Sequence, residues 1–338
     1  MRYIVTGAAG FLGSHLTERL INDGHEVLAV DNNNDNIRRN LKASGRLTVL
    51  QMDVRKLRDQ EFDGHDAIIH LAALADIVPS IENPNAYFSN NVDGTLSVME
   101  FARRSKINKV IYAASSSCYG VAKQWPATED TPIQTMYPYA ESKYLGERLV
   151  MHYAQVYKMN CTSLRFFNIY GPRSRTTGGY GAVFTTFLAQ KYKKLPYTIV
   201  GDGSQSRDFL YVTDAVEAIL SAIKGTSTGI FNIGSGQHYT VKQLVELLGF
   251  PRTTVHLPKR PGEPDMTMAS IDKAQQLLGW YPMVDFVDGV KIMIENIDYY
   301  KDAKAWTGKD IESATEKWFH YLKDDKKQST QFMPGTHG

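Results

Sequence analysis

The chain has little cysteine and no long apolar run. Its 338 residues include two cysteines, Cys118 and Cys161, whose spacing excludes a disulfide framework and a cysteine-rich zinc site and fits a reducing compartment. No apolar run approaches the ~18 residues that a membrane helix needs, and Met1 leads into a strand-like segment without a charged leader. We therefore expect a cytoplasmic protein that is neither exported nor membrane-spanning.

Charge of one sign is also lacking. Lys and Arg number 38 and Asp and Glu 36, so the sequence has no broad basic surface for nucleic acid. Hydrophobic residues make up 43% of the chain and charged residues 22%, which is typical of a globular protein. Neither nucleic acid nor a membrane is expected as a partner.

The sequence does contain a regular alternation of strand-like and helix-like segments. Several strand-like runs are apolar on both faces, as strands buried between two helical layers are. This order predicts right-handed crossovers and an α/β fold, a doubly wound parallel sheet of the Rossmann type. The predicted strands are Tyr3–Thr6, Glu26–Val30, Leu47–Met52, Ala67–His70, Val110–Ala114, Thr162–Phe167 and Ile230–Ile233.

A glycine-rich turn, GAAGFLG at residues 7–13, follows the first strand and opens a helix. Glycines there permit a tight turn and close approach of the backbone to a pyrophosphate, which the helix N-terminus attracts. Asp31 ends the second strand, where a carboxylate can bind both hydroxyls of an adenosine ribose. It would repel a 2′-phosphate, so the motif predicts NAD, although Arg38 and Arg39 nearby leave NADP open.

A tyrosine and a lysine lie four residues apart in the segment YAESK at residues 139–143, on one face of a helical turn. A phenol with a pKa near about 10 is a poor base, and the Lys143 ammonium with a nicotinamide's positive charge can lower that pKa. Tyr139 would then accept a proton from a sugar hydroxyl. Because YxxxK is common in surface helices, the interpretation depends on the hydroxyl-rich segment ASSSCYG at residues 114–120.

Several motifs in this order resemble the extended short-chain dehydrogenase/reductase family of NAD-dependent nucleotide-sugar epimerases and dehydratases. The resemblance covers residues 1 to 290, nearly the whole globular part. Besides the turn, the serines and YxxxK, the matching motifs are HLAA at 70–73, NVDGT at 91–95, RFFNIYGP at 165–172, GDG at 201–203, RDF at 207–209 and RPGE at 260–263.

The resemblance implies three sets of site residues and no metal. The catalytic residues would be Ser115, Tyr139 and Lys143, with Ser115, four before Tyr119, assisting the tyrosine. Tightly bound NAD would contact Gly7, Gly10, Phe11, Leu12, Gly13, Asp31, Asn32, Asp53, Val54, Leu71, Ala72, Ala73, Asn91, Tyr139 and Lys143. A UDP-sugar would contact Ser116, Ser117, Asn168, Arg207, Arg260, Glu263 and Thr267.

The implied roles within the sugar-nucleotide site differ. Arg207 and Arg260 resemble the guanidiniums that clamp the pyrophosphate, for which a planar fork is suited. Asn168 would bind the diphosphate or the sugar, and Glu263 the nucleotide ribose. Asp53, in contrast, has an equally good interpretation as an ordinary turn residue after the third strand.

The serine run favours one reaction of this family. Dehydratases carry an Asp-Glu pair, and decarboxylases usually a Glu, where this chain has Ser116 and Ser117. The resemblance therefore implies 4-epimerisation: Tyr139 deprotonates the 4-hydroxyl, hydride leaves C4, the 4-keto sugar rotates, and hydride returns to the other face. Such isomerases act in polysaccharide biosynthesis.

The identity of the sugar stays open. The serine run resembles that of UDP-N-acetylglucosamine 4-epimerases, and Thr267, where the family controls pocket size, would admit an N-acetyl group. UDP-GlcNAc/UDP-GalNAc and UDP-Glc/UDP-Gal are both expected candidates. A UDP-glucuronate 4-epimerase or decarboxylase and a 4,6-dehydratase are the alternatives. A sugar-nucleotide reductase or a non-catalytic NAD-binding sensor fits less well.

The alternation of elements breaks after Phe167 and resumes near Thr213. The predicted division is an NAD-binding Rossmann domain at 1–168, completed by about 213–239, a nucleotide-sugar-binding lobe at 169–212 and 240–322, and a flexible tail at 323–338.

Two further features concern the surface. Apolar stripes around Val92–Phe101 and Tyr144–Tyr153 correspond to helices that form an intersubunit four-helix bundle in this family, so a homodimer is expected. The segment from Trp306 to Leu322 extends past the usual end of the family, and the sequence assigns it no function.

Overall fold

The computed structural model describes residues 1–60, 62, 64–176, 182–249 and 253–322. Short strands and helices alternate along the chain, as the sequence predicts. The strands are β1 (Arg2–Thr6), β2 (Glu26–Asp31), β3 (Leu47–Gln51), β4 (Ala67–His70), β5 (Lys109–Ser115), β6 (Asn160–Phe166), β7 (Asn168–Tyr170), β8 (Tyr197–Val200), β9 (Ser206–Arg207), β10 (Phe209–Tyr211), β11 (Gly229–Ile233), β12 (Tyr239–Thr240) and β13 (Thr254–Leu257).

The helices cover the intervening segments. A π-helical turn at Ser89–Asp93 joins α4 to α5, and 3₁₀ turns occupy Val54–Asp59, Ser116–Tyr119 and Ile297–Tyr300. The helices are α1 (Phe11–Asn22), α2 (Asn34–Asn40), α3 (Ile77–Glu82), α4 (Pro84–Phe88), α5 (Gly94–Arg104), α6 (Pro138–Tyr157), α7 (Val183–Tyr192), α8 (Val212–Lys224), α9 (Val241–Leu248), α10 (Asp272–Leu278), α11 (Phe286–Glu295) and α12 (Gly308–Leu322).

A seven-stranded parallel sheet lies at the centre, in the order β11-β6-β5-β4-β1-β2-β3. It contains all seven strands predicted from the sequence, so the predicted doubly wound α/β fold is confirmed. The chain moves outward from β1 through β2 to β3, then returns to β4 on the other side of β1. In sheets of this kind ligands bind at that switch point, outside the carboxyl ends of the strands.

Each face of the sheet has its own apolar core. On one face, Leu16 of α1 and Ile219 of α8 are fully buried with Ile69 of β4. On the other, Val98 of α5 and Val150 of α6 are fully buried in a second cluster. Because both faces are covered, the strands can be apolar on both sides, which explains their uninterrupted β-branched runs.

Residues after β6 contribute a third core. The ring of Tyr170 stacks on Phe184 at a centroid distance of 4.5 Å, and Phe209 stacks on Phe286 at 5.2 Å. Three two-stranded ladders surround these rings, pairing β7 with β10, β8 with β13 and β9 with β12. The exact limits of the two predicted domains stay a prediction, and the predicted tail at 323–338 lies outside the described residues.

The two predicted dimer helices bury part of their apolar stripes within the chain. Val98, Phe101, Val150 and Tyr153 all belong to the second core, so an intersubunit contact would use the remaining outer faces of α5 and α6. Among the described residues, no helix combines the length and the apolar character needed to cross a membrane.

Candidate active site

The glycine turn lies at the switch point of the sheet. Gly7 has a φ of +67°, and a Cβ there would lie 2.7 Å from the backbone nitrogen of Ala72. A Cβ on Gly13 would lie 2.0 Å from the carbonyl oxygen of Gly7. Glycine is therefore required at both positions. Since α1 begins at Phe11, its first amides lie beside this cradle, as in pyrophosphate sites.

Sheet register brings the other predicted cofactor residues beside the turn. Thr6, the last residue of β1, pairs with Val30 and with His70, so residue 7 follows between Asp31 and Leu71. The Asp31 carboxylate accepts hydrogen bonds from the amides of Ala9, at 2.9 Å, and Asn33, at 2.9 Å. The structure thus fixes this carboxylate against the turn.

Arg39 is one of the two arginines near Asp31 that keep NADP as an alternative cofactor. In the structure its side chain contacts Tyr299 and Thr176. Its guanidinium lies 4.0 Å from the ring centroid of Tyr299 and donates to the carbonyl oxygen of that residue at 3.2 Å. It also donates to Thr176 Oγ1 at 3.0 Å. These contacts join α2 to the C-terminal part of the chain and give Arg39 a structural role.

Asp53 and Val54 have local contacts of their own. The Asp53 carboxylate accepts from the amide of Arg55 at 2.9 Å and pairs with its guanidinium. The hydrogen bond from Arg55 holds the pKa of Asp53 below its ordinary value. Val54 is buried in the second core, and a Cβ on Gly94 would meet it at 2.9 Å. Asp53 thus caps a 3₁₀ turn, and contact with a cofactor stays a prediction.

Asn91 joins the segment after β4 to α6. Its Oδ1 accepts from the amide of Leu74 at 2.8 Å, while Nδ2 donates to the Leu74 carbonyl at 3.0 Å and to Ser142 Oγ at 2.9 Å. These bonds position the backbone of residues 71–73 beside the glycine turn. In this geometry Asn91 holds the segment at residues 71–74 in place. We call this segment the cofactor loop because the sequence predicts NAD contacts there, and those contacts stay a prediction.

His70 lies beneath this loop in a buried polar chain. Its Nδ1 is 2.7 Å from Thr6 Oγ1, and its Nε2 is 3.0 Å from Thr95 Oγ1. Burial, aided by the charge of Lys143, lowers the pKa of His70 to about 3. The imidazole is therefore neutral at physiological pH and acts as a structural link.

Ser115, Tyr139 and Lys143 are brought together by one strand and one helix. Ser115 ends β5, and α6 begins with Pro138, whose fixed φ suits the first helical position. Tyr139 consequently lies in the first turn, close enough to Ser115 for the serine hydroxyl to lower the pKa of its phenol. Ser115 Oγ accepts from the amide of Ser117 at 3.2 Å and from its hydroxyl at 2.8 Å.

The electrostatics at Tyr139 differ from the expectation. Burial raises the pKa of Tyr139 above its ordinary value, and the hydrogen bond from Ser115 opposes that shift without reversing it. The ammonium of Lys143 lies 4.3 Å from the ring centroid of Tyr112. Burial lowers the pKa of Lys143 to about 7, with the charge of Glu147 opposing. Desolvation therefore makes the largest contribution to the pKa shift of each of the two groups.

Two arginines converge on one carboxylate in the C-terminal lobe. Arg207 on β9 donates to Glu263 Oε1 at 2.8 Å, and Arg260 Nε lies 3.7 Å from Glu263 Oε2. Burial by itself would raise the pKa of Glu263, but the charges of Arg260 and Arg207 hold it below its ordinary value. We call Arg207, Arg260 and Glu263 the arginine cluster.

Asn168 and Thr267 form a second contact in this lobe. Thr267 Oγ1 donates to Asn168 Oδ1 at 3.2 Å and accepts from the amide of Asp208 at 3.3 Å. The structure therefore places these two predicted substrate residues together, close to the strand that carries Arg207.

Asp208 is a site-supporting residue that sequence reasoning did not single out. Its buried carboxylate accepts from the amides of Ser235 at 2.6 Å, Gly236 at 3.2 Å and Ala269 at 3.0 Å. It ties two loops to the strand next to Arg207. The sequence feature that could have indicated its role is a carboxylate directly before the apolar run that begins at Phe209.

A buried ion pair between α6 and β6 was also missed by sequence reasoning. Arg165 on β6 binds Glu147 on α6 at 2.6 Å, and their side chains are 4% and 2% exposed. Glu147 also accepts from Ser163 at 2.8 Å. Its signal was a carboxylate one helical turn beyond Lys143, together with an arginine inside an otherwise apolar strand. Across the described parts of the chain, no group of three His, Cys, Asp or Glu residues could hold a metal ion.

Comparison with known proteins agrees with this geometry. The family model for the NAD dependent epimerase/dehydratase family matches residues 3–234. A putative UDP-glucose 4-epimerase of Methanocaldococcus jannaschii is 33% identical, with 86% of this chain and 96% of that protein covered.

Solved structures are similar over nearly their whole length. A UDP-glucose 4-epimerase of Thermotoga maritima, crystallised with UDP-glucose, is 29% identical with a TM-score of 0.82, covering 88% of this chain and 99% of that one. A UDP-glucuronic acid 4-epimerase of Bacillus cereus, with UDP-glucuronic acid and NAD, is 30% identical with a TM-score of 0.79 over the same shares. The chain therefore belongs to the NAD-dependent epimerase/dehydratase family.

Proposed function

We propose that the protein is an isomerase, an NAD-dependent UDP-sugar 4-epimerase that works through a transient 4-keto sugar. The observation that carries this proposal is the placement of Ser115 at the end of β5 beside Tyr139 and Lys143 of α6, at the carboxyl end of the sheet. Ser116 and Ser117 follow Ser115 where a dehydratase would need carboxylates. The site therefore has groups for moving one proton but no acid pair for expelling water.

The residues at the switch point fit NAD. The turn that Gly7 and Gly13 keep free of side chains would receive the pyrophosphate, and Asp31 would bind the adenosine ribose. When bound there, NAD would supply reversible hydride acceptance next to Tyr139. The NAD-containing relative from Bacillus cereus supports this assignment.

Tyr139 would hold and return the proton of the sugar's 4-hydroxyl. Since burial raises the pKa of Tyr139, its function as a base requires a positive charge brought close by the bound reactants. The hydrogen bond from Ser115 stabilises the phenolate that results. Lys143, with a pKa of about 7, contributes a further positive charge when it is protonated.

The arginine cluster would hold the nucleotide end of the substrate. Guanidiniums bind diphosphate oxygens bidentately, and Glu263 would bind the nucleotide ribose. A substrate fixed by its diphosphate leaves the hexose free to turn between Ser116, Ser117 and the Asn168–Thr267 contact. That freedom is what inversion at C4 requires. A neutral hexose, UDP-Glc/UDP-Gal or UDP-GlcNAc/UDP-GalNAc, is the substrate we propose.

A homodimer and a cytoplasmic location complete the proposal. The outer faces of α5 and α6, with the partly buried Leu96 and Met151, would form the four-helix contact. Both cysteines are free and buried, which agrees with a reducing compartment. A sedimentation mass equal to one chain would contradict the dimer.

The decisive experiment uses the purified protein without added NAD. It is incubated separately with UDP-GlcNAc, UDP-glucose and UDP-glucuronate, and the anomeric protons are followed by NMR. We expect one of the first two to convert to its 4-epimer, with cofactor remaining bound. Retention of all three sugars would contradict the epimerase, and conversion of UDP-glucuronate alone would transfer the assignment to that sugar.

A further inference from the structure

The C-terminal helix α12 lies beyond residues 3–234, which the family model matches. It packs against α3, which follows β4 of the central sheet, and against β13, which belongs to a separate ladder with β8. Its apolar face carries Ile311 and Trp318, which are buried in one cluster with Val78 of α3 and Leu257 of β13. The helix therefore connects the sheet side of the molecule to the strand that leads into the arginine cluster.

Trp318 makes three contacts around that cluster. Its indole Nε1 donates to the carbonyl oxygen of Pro261 at 2.8 Å. Its ring lies 5.6 Å from the guanidinium carbon of Arg260 and 5.8 Å from the ring of Tyr137. Trp318 is 1% exposed, so these contacts are made out of water, where they are strongest.

The hydrogen bond fixes the backbone that separates the two loop members of the cluster. Pro261 lies between Arg260 and Glu263 in the chain, so holding its carbonyl sets the direction of both side chains. The indole face holds the guanidinium through its π surface, which directs the N–H edge of Arg260 toward Glu263, 3.7 Å away. A phosphate that binds at this N–H edge would therefore meet a guanidinium that is already oriented.

Tyr137 extends the connection to the catalytic helix. It is the residue directly before Pro138 at the start of α6, and it lies within electrostatic range of Tyr139, Glu263 and Arg207. Burial raises the pKa of Tyr137, so the phenol is neutral and its ring packs on Trp318 as an apolar surface. One indole thus contacts both the loop of the arginine cluster and the segment that begins the catalytic helix.

We propose that α12 is a strap that positions the arginine cluster for the sugar-nucleotide diphosphate, and that Trp318 is its positioning residue. The proposal rests on the proposed function for the nature of the ligand. Because Trp318 contacts the Arg260 loop and not the reacting atoms, its removal should weaken nucleotide binding and leave the maximal rate of the chemical step nearly unchanged.

The test compares Trp318→Phe and Trp318→Ala with two variants of the same helix. Tyr321→Ala removes an exposed ring (65% exposed), and Ile311→Ala removes a buried side chain from the Trp318 cluster. The Kd for UDP is measured by isothermal titration calorimetry on the full-length holoenzyme. KM and kcat are measured with the sugar nucleotide that it turns over, and thermal unfolding is recorded for each variant.

We expect Trp318→Phe to raise the Kd for UDP about fivefold and Trp318→Ala about twentyfold, from loss of one buried hydrogen bond and then of the cation–π contact. KM should rise in parallel while kcat stays within about twofold. Tyr321→Ala should match the wild type, and Ile311→Ala should lower thermal stability without a comparable rise in Kd.

Unchanged UDP affinity in both Trp318 variants would overturn the strap. So would an Ile311→Ala variant whose Kd rises as much as that of Trp318→Phe, because the helix would then act through stability alone. A wild-type protein that binds UDP but epimerises no sugar would refute the proposed function and leave this inference testable. A wild-type protein without UDP affinity would overturn both.

Discussion

The proposed catalytic groups and the arginine cluster are held in two different ways. Ser115 and Tyr139 lie on one strand and one helix of the central sheet, at positions set by the parallel register. Arg207 and Glu263 come from a two-residue strand and a loop, tied together by Asp208 and Trp318. Proton transfer needs atoms within hydrogen-bond distance, which a rigid sheet guarantees. Binding of a diphosphate is less demanding, so its ligands can lie on loops that contacts between distant segments hold in place.

The same contrast separates the two carboxylate–arginine groups. Glu147 and Arg165 are almost completely buried, at 2% and 4% exposure, and are surrounded by protein donors and acceptors. The side chains of Glu263 and Arg207 are 25% and 12% exposed, and a ligand can reach them. The first pair is thus expected to determine stability, and the second to determine binding.

The largest effect should come from the catalytic side. Replacing Tyr139→Phe removes the proton acceptor but keeps the ring, so we expect kcat to fall about a thousandfold, while bound NAD is retained. The measurement is turnover by NMR, with cofactor content determined by absorbance after denaturation. Tyr157→Phe, on the exposed end of the same helix, is the control. A Tyr139→Phe enzyme with wild-type kcat would remove Tyr139 from the mechanism.

The next largest effect should come from breaking the buried Glu147–Arg165 pair, and it should appear in the stability of the protein. Glu147→Gln leaves the Arg165 guanidinium buried without its counter-charge, which should lower the free energy of unfolding by about 3–5 kcal/mol. Chemical denaturation of the holoenzyme measures this. The double variant Glu147→Leu/Arg165→Met should recover much of the loss, because it removes both charges. A Glu147→Gln protein as stable as the wild type would show that the pair is not desolvated.

The strands of the central sheet could be predicted from the sequence, whereas the short strands of the C-terminal lobe could not. Strands such as β4 are apolar on both faces and are bounded by turns, so their positions follow from local pattern. The strands of the ladder β9–β12 contain two residues each, which is too short for any periodicity, and those of β8–β13 lie outside the regular alternation of strands and helices. Their pairing joins segments far apart in the chain and depends on the aromatic core between them.

The site shows the same division. The glycine turn, YxxxK and the serine run are local motifs, and the structure places Ser115 at the end of β5 and Tyr139 in the first turn of α6. The bond from Trp318 to Pro261 and the four-donor environment of Asp208 arise between distant segments, which no spacing reveals. The direction of the Tyr139 pKa shift was also not predictable, because it depends on burial.

A smaller effect, which depends on pH, is expected from the buried chain beneath the cofactor loop. The pKa of His70 is about 3 in the folded protein against 6.5 ordinarily. Between pH 6.5 and about 3 the unfolded state binds a proton at His70 that the folded state does not. Each unit by which the pH falls in this range should therefore lower the free energy of unfolding by about 1.4 kcal/mol.

His70→Gln should remove that slope. Denaturant unfolding of wild type and variant at pH 4.5, 5.5, 7 and 8 gives the difference, with the two higher pH values as the internal control because both side chains are then neutral. Parallel pH profiles across all four conditions would mean that the imidazole is accessible to protons in the folded protein.

The smallest stability effect should come from the exposed counterpart of the buried pair. Glu263→Gln removes the carboxylate between two guanidiniums that are partly exposed, so the free energy of unfolding should fall by about 1 kcal/mol, well below the loss in the buried pair. UDP affinity should nevertheless change measurably, because the two arginines lose the partner that orients them and the proposed ribose contact is altered. Denaturation and calorimetry on Glu263→Gln and Glu147→Gln together separate the two cases. If Glu263→Gln destabilised the fold as much as Glu147→Gln, the lobe would be held by its arginine cluster, and the division between a stabilising pair and a binding cluster would be wrong.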